Sequence, residues 1–308
     1  MIKSPVRPVA TARQAPVPVR RPLAPPPNPM VLAPAASAAA ISDRDFERIS
    51  QFIYKNAGIA LTPAKKTLVA GRLFRRLEVV GAATYGEYMD CVEQGAADGE
   101  MQVAIDLLTT NETYFWREAR HFELAERLAR EAVRERRGFT VWSAASSTGE
   151  EVYTLAMVLD SVRAGAASFD WQVSGSDISM RVLKSAQRGL YPLDRATQLP
   201  PALLKKYCRK GTGPQAGYLL VDRALRERVS FSQINLVQTL PPTPLFDMIF
   251  LRNVMIYFDA ATKAAVVARL IERLKPGGTF CVGLAETLNG IATGLRGSGP
   301  GSYIRAAP

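Results

Sequence analysis

The chain has 308 residues, of which 47% are hydrophobic and 22% charged, enough for a core domain and a smaller companion. No apolar run reaches the roughly 20 residues of a membrane span, and alanine and proline stand where a signal peptide needs a continuous apolar stretch, so a cytoplasmic protein is expected. Three scattered cysteines and one histidine, His121, exclude a disulfide framework and argue against zinc hydrolases and Ser/His/Asp triads.

The formal net charge is +11, unevenly placed. Residues 1–40 carry Lys3, Arg7, Arg13, Arg20 and Arg21 with no acid, and hold ten of the 21 prolines. Proline fixes φ and removes a backbone donor, so this stretch is predicted to be a disordered, partly extended tail. The basic excess beyond the tail suggests an acidic partner: nucleic acid, a membrane face or an acidic protein helix.

Order is expected from about Ile41. Phe46, Ile49, Ile53 and Tyr54 recur at helical spacing over 43–56, with Ser42 as N-cap and Gly58 as terminator. Further helices are predicted over 62–80, with Pro63 in the first turn, over 85–94 after Thr84, and over about 100–109. Four short helices make a small bundle.

After Gly138 strands and helices alternate. Strands are predicted at 139–143, 171–175 (ending at Asp177), 246–251 and 279–283, and helices at 150–162, 179–188 and 260–274. That rhythm predicts an α/β fold with a doubly wound, mostly parallel sheet. Between Leu190 and Leu236 the rhythm breaks, and 218–221 and 228–231 read as short strands of a small β insertion.

Three segments carry chemistry. Ser143-Ala-Ala-Ser-Ser-Thr-Gly-Glu-Glu151 lies where the first strand turns into its helix, the ligand position of open α/β sheets. Its small side chains admit close backbone approach, and Gly149 can adopt positive φ. Glu150 and Glu151 would repel a pyrophosphate there. S-adenosylmethionine, with a sulfonium and an ammonium, suits them better than NAD or ATP, although the same acids also suit the helix dipole.

Asp177 ends the second strand, 28 residues after Gly149. It is placed either to accept both ribose hydroxyls or to cap the next helix. Arg252 and Asn253 directly follow the strand 246–251 and reach the same sheet edge. A buried arginine there requires a carboxylate partner, either an incoming substrate or a structural acid. Tyr257 points into this crevice or packs over the strand end.

With these segments, Thr109-Thr-Asn-Glu-Thr-Tyr-Phe-Trp-Arg-Glu118, His121-Phe122, Asp177-Ile-Ser179, Gly189-Leu-Tyr191, Arg252-Asn-Val-Met-Ile-Tyr-Phe258 and Pro276-Gly-Gly278 complete an ordered set. The set resembles the CheR family of chemotaxis receptor glutamate O-methyltransferases, from about Ser42 to Tyr303. The resemblance implies a helical N-terminal domain (41–125), a Rossmann-like methyltransferase domain (126–308), and an inserted antiparallel β subdomain at about 190–235.

It further implies S-adenosylmethionine as cofactor and no metal. Cofactor contacts would come from Asn111, Thr113, Arg117, the Glu150/Glu151 pair, Asp177, Asn235, Leu236, Arg252 and Asn253. A basic helix would recognise the cytoplasmic helical region of chemoreceptors. Here that helix would present Arg72, Arg75 and Arg76, which share one face, with Lys65 and Lys66.

The chain departs from the family pattern at Trp116, Ser146 and Val152, where Phe, Cys and Pro are usual. Gly283-Leu-Ala-Glu-Thr287 stands where Gly-His-Ser-Glu-Ser is common, which puts the rim of the site in question.

The expected chemistry needs no histidine. A glutamate side chain, with a reference pKa of about 4.3, is already ionised and can attack a sulfonium methyl without a general base. Arg117 or Arg252 would hold one carboxylate oxygen and Tyr257 would donate to it. Two rivals are a nucleic-acid methyltransferase and a non-catalytic, cofactor-binding regulator. Against the first, there is no aromatic stacking platform and no Asn-Pro-Pro-Tyr-type segment.

Overall fold

The computed structural model describes residues 40–291 and 294–306, so the expected proline-rich tail lies outside the described residues. The first helix, α1 (Asp43–Ala57), starts where Ser42 Oγ accepts from the Asp45 amide at 3.0 Å. It stops at Gly58, whose φ of 69° is a left-handed conformation that costs glycine little. A 3-10 turn at Pro63–Lys65 leads into α2 (Lys66–Val80), followed by α3 (Tyr85–Gln94) and α4 (Glu100–Leu108). Ile49, Ile53, Leu73, Tyr88 and Met89 pack as their core. Glu100 is buried in that core, where Arg76 pairs with it and Tyr88 donates to it at 2.8 Å.

A linker then leads to α5 (Arg120–Arg134), β1 (Phe139–Ser143), α6 (Glu150–Arg163), β2 (Trp171–Asp177) and α7 (Met180–Arg188). The expected domain boundary at 125/126 falls inside α5, which packs against α6 through Ala125, Ala129 and Ala132 and so belongs with the sheet domain. The buried face of α5 joins Phe122, Ala125, Ala129 and Ala132, with Leu124 and Leu128 packed beside them, a helical spacing that the sequence carries but that is not among the helices expected from it.

Next come β3 (Leu190–Pro192), α8 (Pro201–Tyr207), β4 (Cys208–Lys210), β5 (Tyr218–Val221), α9 (Arg223–Arg226) and β6 (Val229–Gln233). Strands β3, β5 and β4 form the expected three-stranded antiparallel sheet. The insertion is shorter than expected, because β6 pairs in parallel with β2 from Val173–Val229 to Asp177–Gln233 and belongs to the main sheet.

The chain closes with β7 (Phe246–Leu251), α10 (Ala260–Ile271), β8 (Leu274–Val282), β9 (Leu295–Gly299) and β10 (Ser302–Arg305). Helix α10 ends three residues before the expected Leu274, which instead opens β8. The sheet order is β6-β2-β1-β7-β8-β10-β9. Strands β6, β2, β1, β7 and β8 run parallel, and the β9/β10 hairpin, not anticipated from sequence, adds antiparallel strands at the edge.

From β1 the chain moves outward through β2 to β6, then returns to the other side of β1 with β7. The connections therefore diverge between β1 and β7, the switch point where open α/β sheets bind ligands beyond their carboxyl ends.

Candidate active site

A cleft of about 900 Å³, counting its open mouth, lies at that switch point. Its walls come from both domains. Ala57 and Ile59 contribute from the end of α1, residues 109–113 and Arg117 from the linker, and residues 144–147 with Glu151 from the β1–α6 turn. Asp177, residues 234–237 and residues 252–254 with Tyr257 and Phe258 close the ring.

The β1–α6 turn is shaped as its sequence predicts. Gly149 has a φ of 95°, and a Cβ there would stand 2.7 Å from the Ala186 Cβ. Glycine is therefore required for α6 to approach α7. Ser147 takes a φ of 50° and turns its amide onto Asp177 Oδ2 at 2.9 Å, while the Ser179 amide donates to Asp177 Oδ1 at 2.9 Å. Burial raises the Asp177 pKa, and those two amides work against the rise. The carboxylate is thus fixed at the tip of β2, and Ser179 Oγ caps α7. The two alternatives for this strand end are divided between two residues.

The glutamate pair splits. Glu151 lines the cleft, whereas Glu150 points away from it and accepts from Thr148 Oγ1 at 2.6 Å. Burial pushes the Glu150 carboxyl up to about 7. Sequence leaves open which acid of the pair meets the cofactor; only Glu151 reaches the cleft wall, because successive helix positions diverge by about 100°.

Of the two partners open to Arg252 from sequence, an incoming carboxylate or a structural acid, the structure supplies the second. The Arg252 side chain is 2% exposed, and it donates to Glu151 Oε2 at 2.7 Å, to Glu118 Oε2 at 2.9 Å and to the Arg117 carbonyl. The structural-acid alternative holds. Asn253, with a φ of 57°, donates through its amide to Glu286 Oε2 at 2.8 Å and through Nδ2 to Glu118 Oε1 at 3.4 Å. Glu118 and Glu286 were not singled out from sequence, although Glu118 ends the linker motif and Glu286 lies in the divergent segment 283–287.

The linker is clamped from both sides. Arg72 donates to the Leu108 and Thr109 carbonyls at 2.9 and 3.2 Å and to Thr110 Oγ1 at 3.0 Å. Ser147 Oγ donates to the Asn111 carbonyl at 2.8 Å, and Arg195 donates to the Thr113 carbonyl. Asn111 Oδ1 accepts from Thr109 Oγ1 at 3.2 Å and from Arg181 at 3.3 Å. On the far wall, Asn235 Nδ2 donates to the Asn56 carbonyl at 2.6 Å, and Leu236 packs against the sheet.

Two donors remain available. Arg117 donates to the Glu112 carbonyl at 3.0 Å and lies over the Tyr114 ring, and among the described residues it forms no ion pair. Tyr257 sits on the 3-10 turn Met255–Tyr257, whose carbonyl accepts from the Ala60 amide at 2.9 Å. Its hydroxyl has no hydrogen-bond partner among the described residues.

The three arginines of α2 do not form one free face. Arg72 braces the linker and Arg76 is paired with Glu100, which leaves Arg75 exposed. Lys66 is paired with Asp43 at 2.6 Å, and Lys65 is exposed.

Residues 44–109 match the all-alpha domain of CheR methyltransferases, and residues 111–299 match their SAM binding domain. The chain belongs to the CheR methyltransferase family. It is 43% identical to the chemotaxis protein methyltransferase of Escherichia coli (strain K12) over 252 residues, 81% of this chain and 86% of that one. The Salmonella typhimurium protein of the same name is 41% identical over 262 residues, covering 85% and 90%. Chemotaxis protein methyltransferase 2 of Pseudomonas aeruginosa is 41% identical over 245 residues, covering 79% and 86%.

As a CheR protein, the chain is a methyltransferase that uses S-adenosylmethionine and acts in chemotaxis. The two matched domains meet at residue 110, beside the linker that lines the cleft. The cleft fits the cofactor. Asp177 offers a fixed acceptor at the strand tip, the β1–α6 turn presents small side chains, and the acids of the wall favour a cation. No helix among the described residues is long and apolar enough to cross a membrane.

Proposed function

We propose that the chain methylates glutamate side chains on the cytoplasmic helical region of chemoreceptors, giving glutamyl methyl esters. The observation that carries this reading is a cleft with free donors and no general base. Among the described residues Arg117 forms no ion pair and the Tyr257 hydroxyl has no hydrogen-bond partner, whereas Glu112 is paired with Arg195, Glu151 is bound to Arg252 and Asp177 is held by two amides. His121 lies outside the cleft wall, and burial, aided by Arg252, lowers its pKa to about 4. An alcohol or ammonium acceptor would have to lose a proton, and each wall carboxylate that might take it is already engaged by an arginine or by backbone amides. A carboxylate is ionised at neutral pH and asks only to be held, aligned and partly stripped of water.

S-adenosylmethionine supplies an electrophilic methyl on a sulfonium. Asn111, Thr113, Arg117, Glu151, Asp177, Asn235, Leu236 and Asn253 are the residues that would hold it, with Arg252 acting behind Glu151. Arg117 holds one oxygen of the acceptor carboxylate and the Tyr257 hydroxyl donates to it, which keeps the attacking lone pair pointed into the cleft. Arg75 and Lys65 offer the exposed positive charge that an acidic receptor helix requires. The reaction belongs in the cytoplasm, where that receptor region lies.

The test is peptide mapping of a receptor cytoplasmic fragment incubated with the chain and S-adenosylmethionine. Methyl increments confined to glutamate side chains are expected. Methylation on lysine, on serine or on added RNA, with glutamates untouched, would overturn the reading.

A further inference from the structure

Arg117 is held in place without a counter-ion. Its Nη1 donates to the Glu112 carbonyl at 3.0 Å, and its guanidinium carbon lies 5.7 Å from the centroid of the Tyr114 ring. Both acids that flank it in the linker are engaged elsewhere, Glu112 with Arg195 at 2.7 Å and Glu118 with Arg252 at 2.9 Å. Arg252 shows the opposite arrangement, since its charge is already met by Glu118 and Glu151.

The fold aims Tyr114 at this guanidinium. Arg195 fixes both neighbours of the tyrosine: its side chain donates to the Thr113 carbonyl, and its own carbonyl accepts from the Phe115 amide at 2.9 Å. Thr113 and Phe115 are buried, and the Phe115 ring packs edge-on against Tyr191 with centroids 5.0 Å apart. Neighbouring side chains of an extended segment point to opposite sides, so burying 113 and 115 turns Tyr114 outward. The cleft wall includes Arg117 but stops short of Tyr114, whose hydroxyl has no hydrogen-bond partner among the described residues. The ring face is therefore the part of Tyr114 that meets Arg117.

We propose that Tyr114 is a positioning residue for Arg117: the face of its ring holds the guanidinium toward the acceptor carboxylate and leaves the positive charge uncompensated. An aromatic face attracts a cation through its quadrupole and brings no countercharge. A carboxylate in its place would compete with the acceptor. Restraining a long side chain beforehand also reduces the rotamer freedom it loses on gripping a substrate. This rests on the reading of Arg117 as a holder of the acceptor.

Two measurements on the full chain separate the contact from its use. In proton–nitrogen spectra the Arg117 Nε resonance, identified by its loss in Arg117→Ala, should keep its position in Tyr114→Phe. It should move downfield in Tyr114→Leu, where the ring current is gone. Receptor methylation at saturating S-adenosylmethionine should keep most of its rate in Tyr114→Phe and fall about fivefold in Tyr114→Leu, the effect of one partly exposed cation–π contact. In an Arg117→Ala background, Tyr114→Leu should change the rate by no more than about twofold, because the group it positions is gone. Tyr114→Gln serves in place of Tyr114→Leu if that variant does not fold. An unmoved Nε resonance in Tyr114→Leu, or equal losses in Tyr114→Phe and Tyr114→Leu, would overturn the proposal. So would an equal loss with and without Arg117, which marks a purely structural role. A moved resonance with methylation unchanged in both Tyr114→Leu and Arg117→Ala would confirm the contact and instead remove Arg117 from acceptor binding.

Discussion

Arg252 at the end of β7 and Glu151 in the first turn of α6 meet at 2.7 Å, although 101 residues separate them in sequence. The pair ties the two strands that flank the switch point and also anchors the linker, because the same guanidinium holds the Arg117 carbonyl and the Glu118 carboxylate. One side chain thus keeps three parts of the cleft wall in register. Removing it would leave two carboxylates, 14% and 16% exposed, without their counter-ion. Arg252→Ala is expected to cost about 3–5 kcal/mol, read as a lower urea midpoint at unchanged slope. A loss below about 1 kcal/mol would show that the network contributes little.

Unlike Arg252, Arg117 has no ion pair, and the Tyr257 hydroxyl has no hydrogen-bond partner, among the described residues. Tyr257→Phe removes one donor and no volume, so methyl transfer to receptor should fall by roughly two orders of magnitude. Binding of S-adenosylhomocysteine should stay within about threefold of the unmodified chain. Arg117→Ala should lower both transfer and cofactor affinity. Near-normal turnover in both variants would remove these residues from the mechanism.

The α2 arginines should separate by assay. Arg75→Glu is expected to weaken receptor methylation, more so at low salt, and to leave cofactor affinity intact. Arg72→Ala releases the Leu108 and Thr109 carbonyls and should lower cofactor affinity even without receptor, as calorimetry would read. Arg76→Ala strands the buried Glu100 and should act mainly on stability.

Glu150 carries a pH signature. Burial raises its pKa from 4.5 to about 7, so between those values the folded chain holds more protons than the unfolded one. Its stability contribution is fully present below pH 4.5 and is lost as pH rises toward 7, at up to about 1.4 kcal/mol per pH unit. Glu150→Gln should flatten that part of a stability-against-pH curve measured by urea unfolding. The same slope in both proteins would contradict the assignment.

Sequence reading located most of the sheet and the cleft because their signals are local. Ser42, Gly58, Thr84 and Gly149 mark helix ends through their own backbone chemistry, and a β1–α6 turn of small residues announces a ligand position. What it misjudged depends on tertiary partners. The α2 arginines share a face by spacing, yet only the fold puts Glu100 under Arg76 and the α4 carbonyls beside Arg72. Likewise, 229–233 alternates like any short strand, and only its parallel pairing with β2 assigns it to the main sheet. Glu118 gave no signal of its own, since its role is set by Arg252 from 134 residues away.

The most direct measurement of the account is alkaline release of methanol from receptor cytoplasmic fragments labelled by the purified chain and methyl-labelled S-adenosylmethionine. Esters hydrolyse under mild alkali, so volatile label should appear with receptor, be strongly reduced with Tyr257→Phe, and be absent without receptor. Label that stays non-volatile on the receptor, or no transfer by folded, cofactor-binding protein, would contradict a carboxylate acceptor held by Arg117 and Tyr257.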